Sequence, residues 1–360
     1  MISALAAVSF LSSVVLSLFI VLHCVRRNVP RLALVSWLLG CNVVHGVDAS
    51  IWASNVDPRA LVWCDLGTKF PFFMSDFLSF WYLVTKLVTA TTIAVSGACL
   101  CIAHHLELVS SSRNLLDTPK AFRNRRFFNL IICYVIPLLY MALRTFNNSP
   151  KLHSIVDLLK DIVGQDHRFD LVQGIGCVAS VHPSVVASVV VWLPQALMCI
   201  LSFVLHGEIH SIEITKIQSS LTVLGIAVHN SSRHCFSYFS GHLEFRSQMN
   251  SSTWLRTFSI SMAIMVVNSL VILFSVLSLP MSDSWVSWQR VHLHLSEVFI
   301  VTVRRQIADI EINWWGLPVI TICYIFLVLV LGEEGRVIIG HLWEGTKKIS
   351  LGVPFLIAPR

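Results

Sequence analysis

Seven stretches of mainly apolar residues dominate this chain, each close to the length of about 20 residues that a helix needs to cross a bilayer. They are residues 2–24, 32–53, 84–103, 127–146, 185–205, 257–279 and 316–331. No soluble core can hide that much apolar surface. Of the 360 residues, 55% are hydrophobic and only 13% charged, where a soluble domain carries roughly 25%. The first stretch lacks a basic n-region and exceeds the apolar core of about 7–15 residues found in a cleaved leader, so it reads as a span as well. The expectation is an all-α membrane protein: a seven-transmembrane helix bundle over 1–332, followed by a short cytoplasmic tail at 333–360. A separate aromatic patch, Phe70–Tyr82, is apolar but interrupted by Asp76.

Basic residues gather on the cytoplasmic side of membrane proteins. With the N-terminus outside, the inward segments hold 16 lysines and arginines and the outward loops hold 8. The bias predicts N-terminus outside, C-terminus cytosolic, and segments 104–126 and 206–256 facing the cytosol. Trp52, Trp63, Trp285, Trp288, Trp314 and Trp315 fall near the predicted outer ends, where an interfacial belt belongs. Pro137 and Pro194 lie inside spans, where membrane helices tolerate kinks.

Two crossings separate the polar gap around Trp63-Cys64-Asp65 from the polar stretch His167–Cys177. Both gaps therefore face one compartment, and if it is extracellular a Cys64–Cys177 disulfide is possible. Most other cysteines sit inside apolar runs, where they act as small hydrophobes. Ionisable and amide groups inside a span carry function by default. Asn42, His45, Asp48 and Trp52 lie near one stripe of the second helix, with exposure of Asp48 at the helix end as the bland alternative. His206-Gly-Glu-Ile-His210 has metal-ligand spacing. A di-iron oxygenase would need about eight histidines in three such boxes, so solvated histidines at a helix end are the better reading. No Walker loop, dinucleotide motif or Ser/His/Asp set occurs, so no catalytic residue, metal or cofactor is expected. The basic clusters suit anionic lipid and a docked protein rather than nucleic acid.

The segments Asn42–Trp52 with Asn55, Val62–Asp65, Gly97–Cys101, Gln165–Asp170 with Gly176-Cys177, and Leu331–Glu334 together resemble fungal mating pheromone receptors of the lipopeptide (a-factor) class. They follow the family's order from about residue 30 to 335. The resemblance implies a plasma-membrane receptor for a farnesylated peptide, coupled to a heterotrimeric G protein. It makes Trp63, Asp65, His167, Arg168, Phe169 and Asp170 ligand-binding candidates beside Asn42, His45, Asp48 and Trp52, and it matches the family's cysteines to Cys64 and Cys177. His104, His105, Arg113, Arg123, Arg125, Arg126, Arg246 and Arg256 are the G-protein-facing candidates. A transporter or channel is the alternative class.

The chain departs from the family pattern in three places. His104-His105 replaces an Arg-Arg pair, and Asp48 stands where asparagine is usual. Gly67–Leu83 and Thr145–Asp161 also look additional, each read as retained intron sequence or as a lineage-specific loop insertion. Thiol labelling from outside intact cells should miss Cys235 if the orientation is right; strong external labelling there overturns it.

Overall fold

The structure, a computed structural model, describes residues 2–21, 28–53, 83–110, 119–143, 169–172, 175–178, 185–229, 251–277, 298–301 and 304–331. The described chain is mostly helix: α1 (Ile2–Val21), α2 (Val29–Ile51), α3 (Leu83–Ser110), α4 (Pro119–Leu130), a π-helical stretch (Ile131–Val135), α5 (Ile136–Leu143), α6 (Val185–His229), α7 (Ser251–Leu277) and α8 (Arg304–Leu331). Five helices contain segments long and apolar enough to cross a membrane: Ala4–Val21, Val29–Ile51, Leu87–Ser110, Val191–Ile212 and Thr253–Leu277. Trp315–Leu331 is a shorter apolar helical segment. Several helices outrun their apolar cores. In particular, α6 continues to His229, so the first half of the expected 206–256 loop is helical. The stretches Gly67–Leu83 and Thr145–Asp161 fall, except for Leu83, outside the described residues.

Helix α3 forms the core. Ala90, Ile93, Ala94, Val95, Ala98, Cys99, Cys101, Ala103 and Leu106 are all buried, whereas a lipid-facing helix would expose one side. The small residues among them are the cause, because alanine, cysteine and glycine let neighbouring backbones come close. Helices α2, α5, α6 and α7 pack around α3, and α1 joins α2 to α8. The outer faces are left to lipid: Leu11, Val14 and Leu18 on α1, Leu197, Ile200, Leu201 and Val204 on α6, and Leu273, Phe274 and Leu277 on α7.

Pro137 leaves a mark that the sequence only hinted at. Proline has no N–H to offer the carbonyl four residues back, which here is Cys133. The helix responds by widening into the π-helical stretch just before it, where the Ile136 N–H reaches back to the Ile131 carbonyl. Trp37 of α2 then donates its Nε1–H to the Cys133 oxygen at 2.9 Å. Gly97 of α3 lies against the same turn, where a Cβ would stand 2.9 Å from Ile132 Cγ2 and 3.1 Å from the Ile132 oxygen. Three helices therefore meet at the turn that Pro137 disrupts, α2 at the Cys133 carbonyl and α3 at the neighbouring Ile132 carbonyl.

Outside the helices, β1 (Phe169–Val172), β2 (Gly176–Val178) and β3 (Val298–Val301) form a sheet in the order β2-β1-β3. The β1–β2 hairpin is antiparallel, pairing Asp170 with Val178, Leu171 with Cys177 and Val172 with Gly176. Strand β3 lies parallel to β1, Phe169 opposite Val298 and Val172 opposite Val301. This joins the segment before α6 to the segment before α8, a pairing that nothing in the sequence announced.

Trp37→Phe should leave the Cys133 oxygen buried and unpaired, at a cost of about 1–3 kcal/mol. Thermal melts of the purified chain should show that loss. Adding Pro137→Ala should recover part of it, because residue 137 would then supply the missing N–H; no recovery would break the link between the proline and the tryptophan.

Candidate functional site

Asn42, His45, Asp48 and Trp52 are spaced three, three and four residues apart, which places them along one side of α2. All four are buried. The sequence allowed Asp48 either a place in the polar stripe or solvent at the helix end, and put Trp52 in an interfacial belt as well as in the stripe. Burial under the hairpin selects the stripe for both. Near the middle of the stripe, Asn42 Nδ2 donates to the Leu38 carbonyl and to Thr321 Oγ1 of α8, both at 2.8 Å. Thr321 Oγ1–H in turn donates to the Leu317 carbonyl at 2.9 Å. Asn42 Oδ1 and Trp52 Nε1 are buried without a hydrogen-bond partner among the described residues.

At the upper end of the stripe the hairpin sits directly on α2. Gly176 has φ +105°, and a Cβ there would lie 2.8 Å from Asp48 Cβ and 2.9 Å from Trp52 Cδ1. Only glycine suits both the backbone angle and the gap. Val172 and Ile175 of the hairpin share a small apolar cluster with Leu5 of α1 and Ala49 of α2, against which Trp315 of α8 also packs. Cys177, buried in β2, is disulfide-bonded. Cys41, Cys99, Cys101, Cys133, Cys199 and Cys323 are free, so its partner lies outside the described residues.

The fold thus rests the hairpin that carries two of the candidates on the helix that carries four others, more than a hundred residues away in the chain. Asn42, His45, Asp48 and Trp52 come from α2; Phe169 and Asp170 come from β1 of the hairpin resting on it. Trp63, Cys64, Asp65, His167 and Arg168 lie outside the described residues.

Deeper in the bundle a second polar seam joins three helices, and sequence reading passed over it. Asn268 Nδ2 of α7 donates to Ser96 Oγ of α3 at 2.8 Å and reaches Cys199 Sγ of α6 at 3.5 Å. An asparagine in the middle of an apolar run was the available signal.

The opposite end of the bundle is closed by aromatic and polar contacts. Trp254 stacks on Phe258 of α7 with ring centroids 5.4 Å apart, and His206 of α6 meets Phe258 at 5.2 Å. Trp254 Nε1 donates to Ser110 Oγ, in the last turn of α3, at 3.2 Å. Arg31 Nη2 donates to Thr257 Oγ1 at 2.7 Å, joining the start of α2 to α7. His104 and His105 are half-buried on α3, with His104 5.7 Å from the Phe128 ring. Arg125 and Arg256 are half-buried, Arg123 and Arg126 are exposed, and Arg113 and Arg246 lie outside the described residues.

These features define a multi-pass helical membrane protein, with buried polar groups on an inner helix under a disulfide-bonded loop hairpin. The chain belongs to the pheromone A receptor family, whose model matches residues 4–152 and 155–338. It is 27% identical over 325 residues to a pheromone B beta 1 receptor of Schizophyllum commune, covering 88% of this chain and 50% of that protein. Over 330 residues it is 22% identical to a pheromone B alpha 3 receptor of the same species, covering 89% of this chain and 44% of that one. A pheromone receptor 1 of Mycosarcoma maydis is 24% identical over 155 residues, 43% of this chain and 34% of its own length. The chain spans half, or less, of the length of these relatives. No solved structure matches it. The family's members are receptors rather than enzymes.

Gly176→Ala should destabilise the hairpin end of the bundle by about 1–3 kcal/mol, the usual cost of forcing a side chain into such a backbone region. A lower melting temperature for the purified chain, with reduced surface expression, is the expected result; an unchanged melt would mean the hairpin does not rest on α2.

Proposed function

We propose that this chain is a G-protein-coupled receptor for a farnesylated peptide pheromone. In this reading it sits in the plasma membrane with seven spans, N-terminus outside and C-terminus cytosolic. The observation that supports it is the contact of Gly176 with Asp48 and Trp52, which rests the hairpin carrying Phe169 and Asp170 on the buried polar stripe of α2. A peptide engaging the hairpin would lie directly over Asp48, Trp52 and His45.

The lipid would supply much of the affinity, since each buried CH₂ of a chain in the bilayer contributes about 0.8 kcal/mol. The protein then has to supply mainly discrimination, and Asp48, Asp170 and Trp52, with His167 and Arg168 just before β1 in the sequence, suit a short polar peptide. We pair Cys177 with Cys64. Of the cysteines outside the described residues, Cys24 and Cys235 belong to the opposite side in this topology. The bond would hold the hairpin over the helix ends.

Signalling then requires the peptide to bind one arrangement of the helices more tightly than another. The contacts that would give way are those joining α3, α6 and α7 at Ser110, His206, Trp254 and Phe258. The G protein would read this end, with His104, His105, Arg125 and Arg256 closest to it.

The test is a G-protein reporter in cells expressing the chain, challenged with a panel of farnesylated peptides. One peptide should signal, and its unfarnesylated form should be far weaker. Trp52→Ala should shift potency by about 30-fold or more, as loss of a buried aromatic anchor does. Silence across the panel from a chain that reaches the surface, or equal potency without the farnesyl group, overturns the proposal.

A further inference from the structure

Helix α4 presents two different faces, and they divide a basic cluster that looks uniform in sequence. Ala121, Arg125 and Asn129 recur every four residues and are half-buried, leading into buried Ile132 and Cys133. Phe128, beside that stripe, meets His104 of α3. This side faces the bundle. Lys120, Arg123, Phe127 and Leu130 recur at intervals of three, four and three, which places them in one row on the opposite side. All four are exposed, Phe127 to 64%, and Arg126 and Phe122 are exposed on the same helix.

We infer that this row is a binding site for the phosphate of anionic phospholipids in the leaflet beside the α4 end of the bundle. The apolar part of the row, Phe127 and Leu130, leads toward exposed Val135, Leu138 and Leu139, a surface suited only to lipid chains. Phe127 is the first residue of an exposed apolar row that continues through Leu130, Val135, Leu138 and Leu139. It comes directly after the last cations of the helix, so it stands where the charged segment gives way to the hydrocarbon. At 1.5 Å per residue, Arg123 lies about 6 Å and Lys120 about 10 Å beyond Phe127 along the helix. The headgroup layer is about 5–8 Å thick on each side, and both side chains are long and flexible enough to turn into it. Two cations and an aromatic ring in one row fit a lipid phosphate with its acyl chains running up the helix. A docked protein would leave Phe127 and Leu130 uncovered, because they lie at the depth of the bilayer.

The inference rests on the membrane placement proposed above but not on pheromone recognition or signalling, so no pheromone or signalling readout enters the test, and a G-protein subunit enters only as the rival occupant of the row. The full chain is reconstituted in vesicles of phosphatidylcholine mixed with phosphatidylserine, or with a phosphatidylinositol phosphate, and extracted. The lipids that stay bound are then counted by mass spectrometry. Wild type should retain anionic lipid in preference to phosphatidylcholine, and the two mixtures distinguish the headgroup that supplies the phosphate. Lys120→Gln with Arg123→Gln should cut the preference by about fivefold per charge removed. Lys120→Arg with Arg123→Lys should keep it, and Arg125→Gln on the bundle side should leave it within about twofold of wild type. An unchanged preference in the glutamine variant overturns the site. Unchanged lipid retention with lost co-purification of a G-protein α subunit makes the row a protein-docking surface instead, which also overturns it. If the glutamine variant does not fold, wild type alone decides: no preference for either anionic lipid ends the proposal.

Discussion

Close approach of neighbouring helices to α3 is the constraint on which the rest of the bundle depends. Lipid is as apolar as leucine, so helices in a bilayer gain nothing by hiding apolar side chains from each other and must be held by tight packing and hydrogen bonds. Ala90, Ala94, Gly97 and Ala98 make α3 narrow enough for both. The Ser96–Asn268 bond at 2.8 Å and the fit of Gly97 over the Ile132 carbonyl exist only because no larger side chain holds the backbones apart. A single interhelical hydrogen bond of this kind contributes about 0.6 kcal/mol. Packing therefore does most of the holding, and the polar seams fix which helix faces meet.

The hairpin end is organised differently, as a closed circuit of contacts. The hairpin rests on α2 through Gly176, Asp48 and Trp52; α2 bonds to α8 through Asn42 and Thr321. Strand β3 ends at Val301, α8 begins at Arg304, and β3 pairs with β1 of the same hairpin. A force applied at the hairpin thus reaches α8 by two routes, through the strand and through α2. The far end has its own closure at Trp254, Phe258, His206 and Ser110, between α3, α6 and α7. Helices α3 and α7, joined at Ser96 and Asn268, run between the two.

What the sequence determined by itself was set by composition and period. Runs of about 20 apolar residues have no alternative to helix in a bilayer, because an unpaired backbone group there is too costly. The stripe of Asn42, His45, Asp48 and Trp52 was equally legible, since helical spacing alone puts them on one side. The motifs from Asn42 to Glu334 were sufficient for the family, which the match over most of the chain bears out.

Only the tertiary structure decided what those groups touch. That Asp48 is buried rather than solvated depends on a hairpin more than a hundred residues away. The partner of Asn42 is a threonine on α8, and the carbonyl freed by Pro137 is taken by Trp37 of another helix. The division of the α4 arginines into a bundle side and a lipid side depends on where α3 lies. The parallel pairing of β1 with β3 had no local signal, because strands that short carry too little pattern to show which other strand they will join. Local sequence fixes the period and hence the faces of each helix. Which faces meet is settled by small residues, prolines and buried amides acting between segments far apart in the chain, and that matching exists only once the helices are assembled.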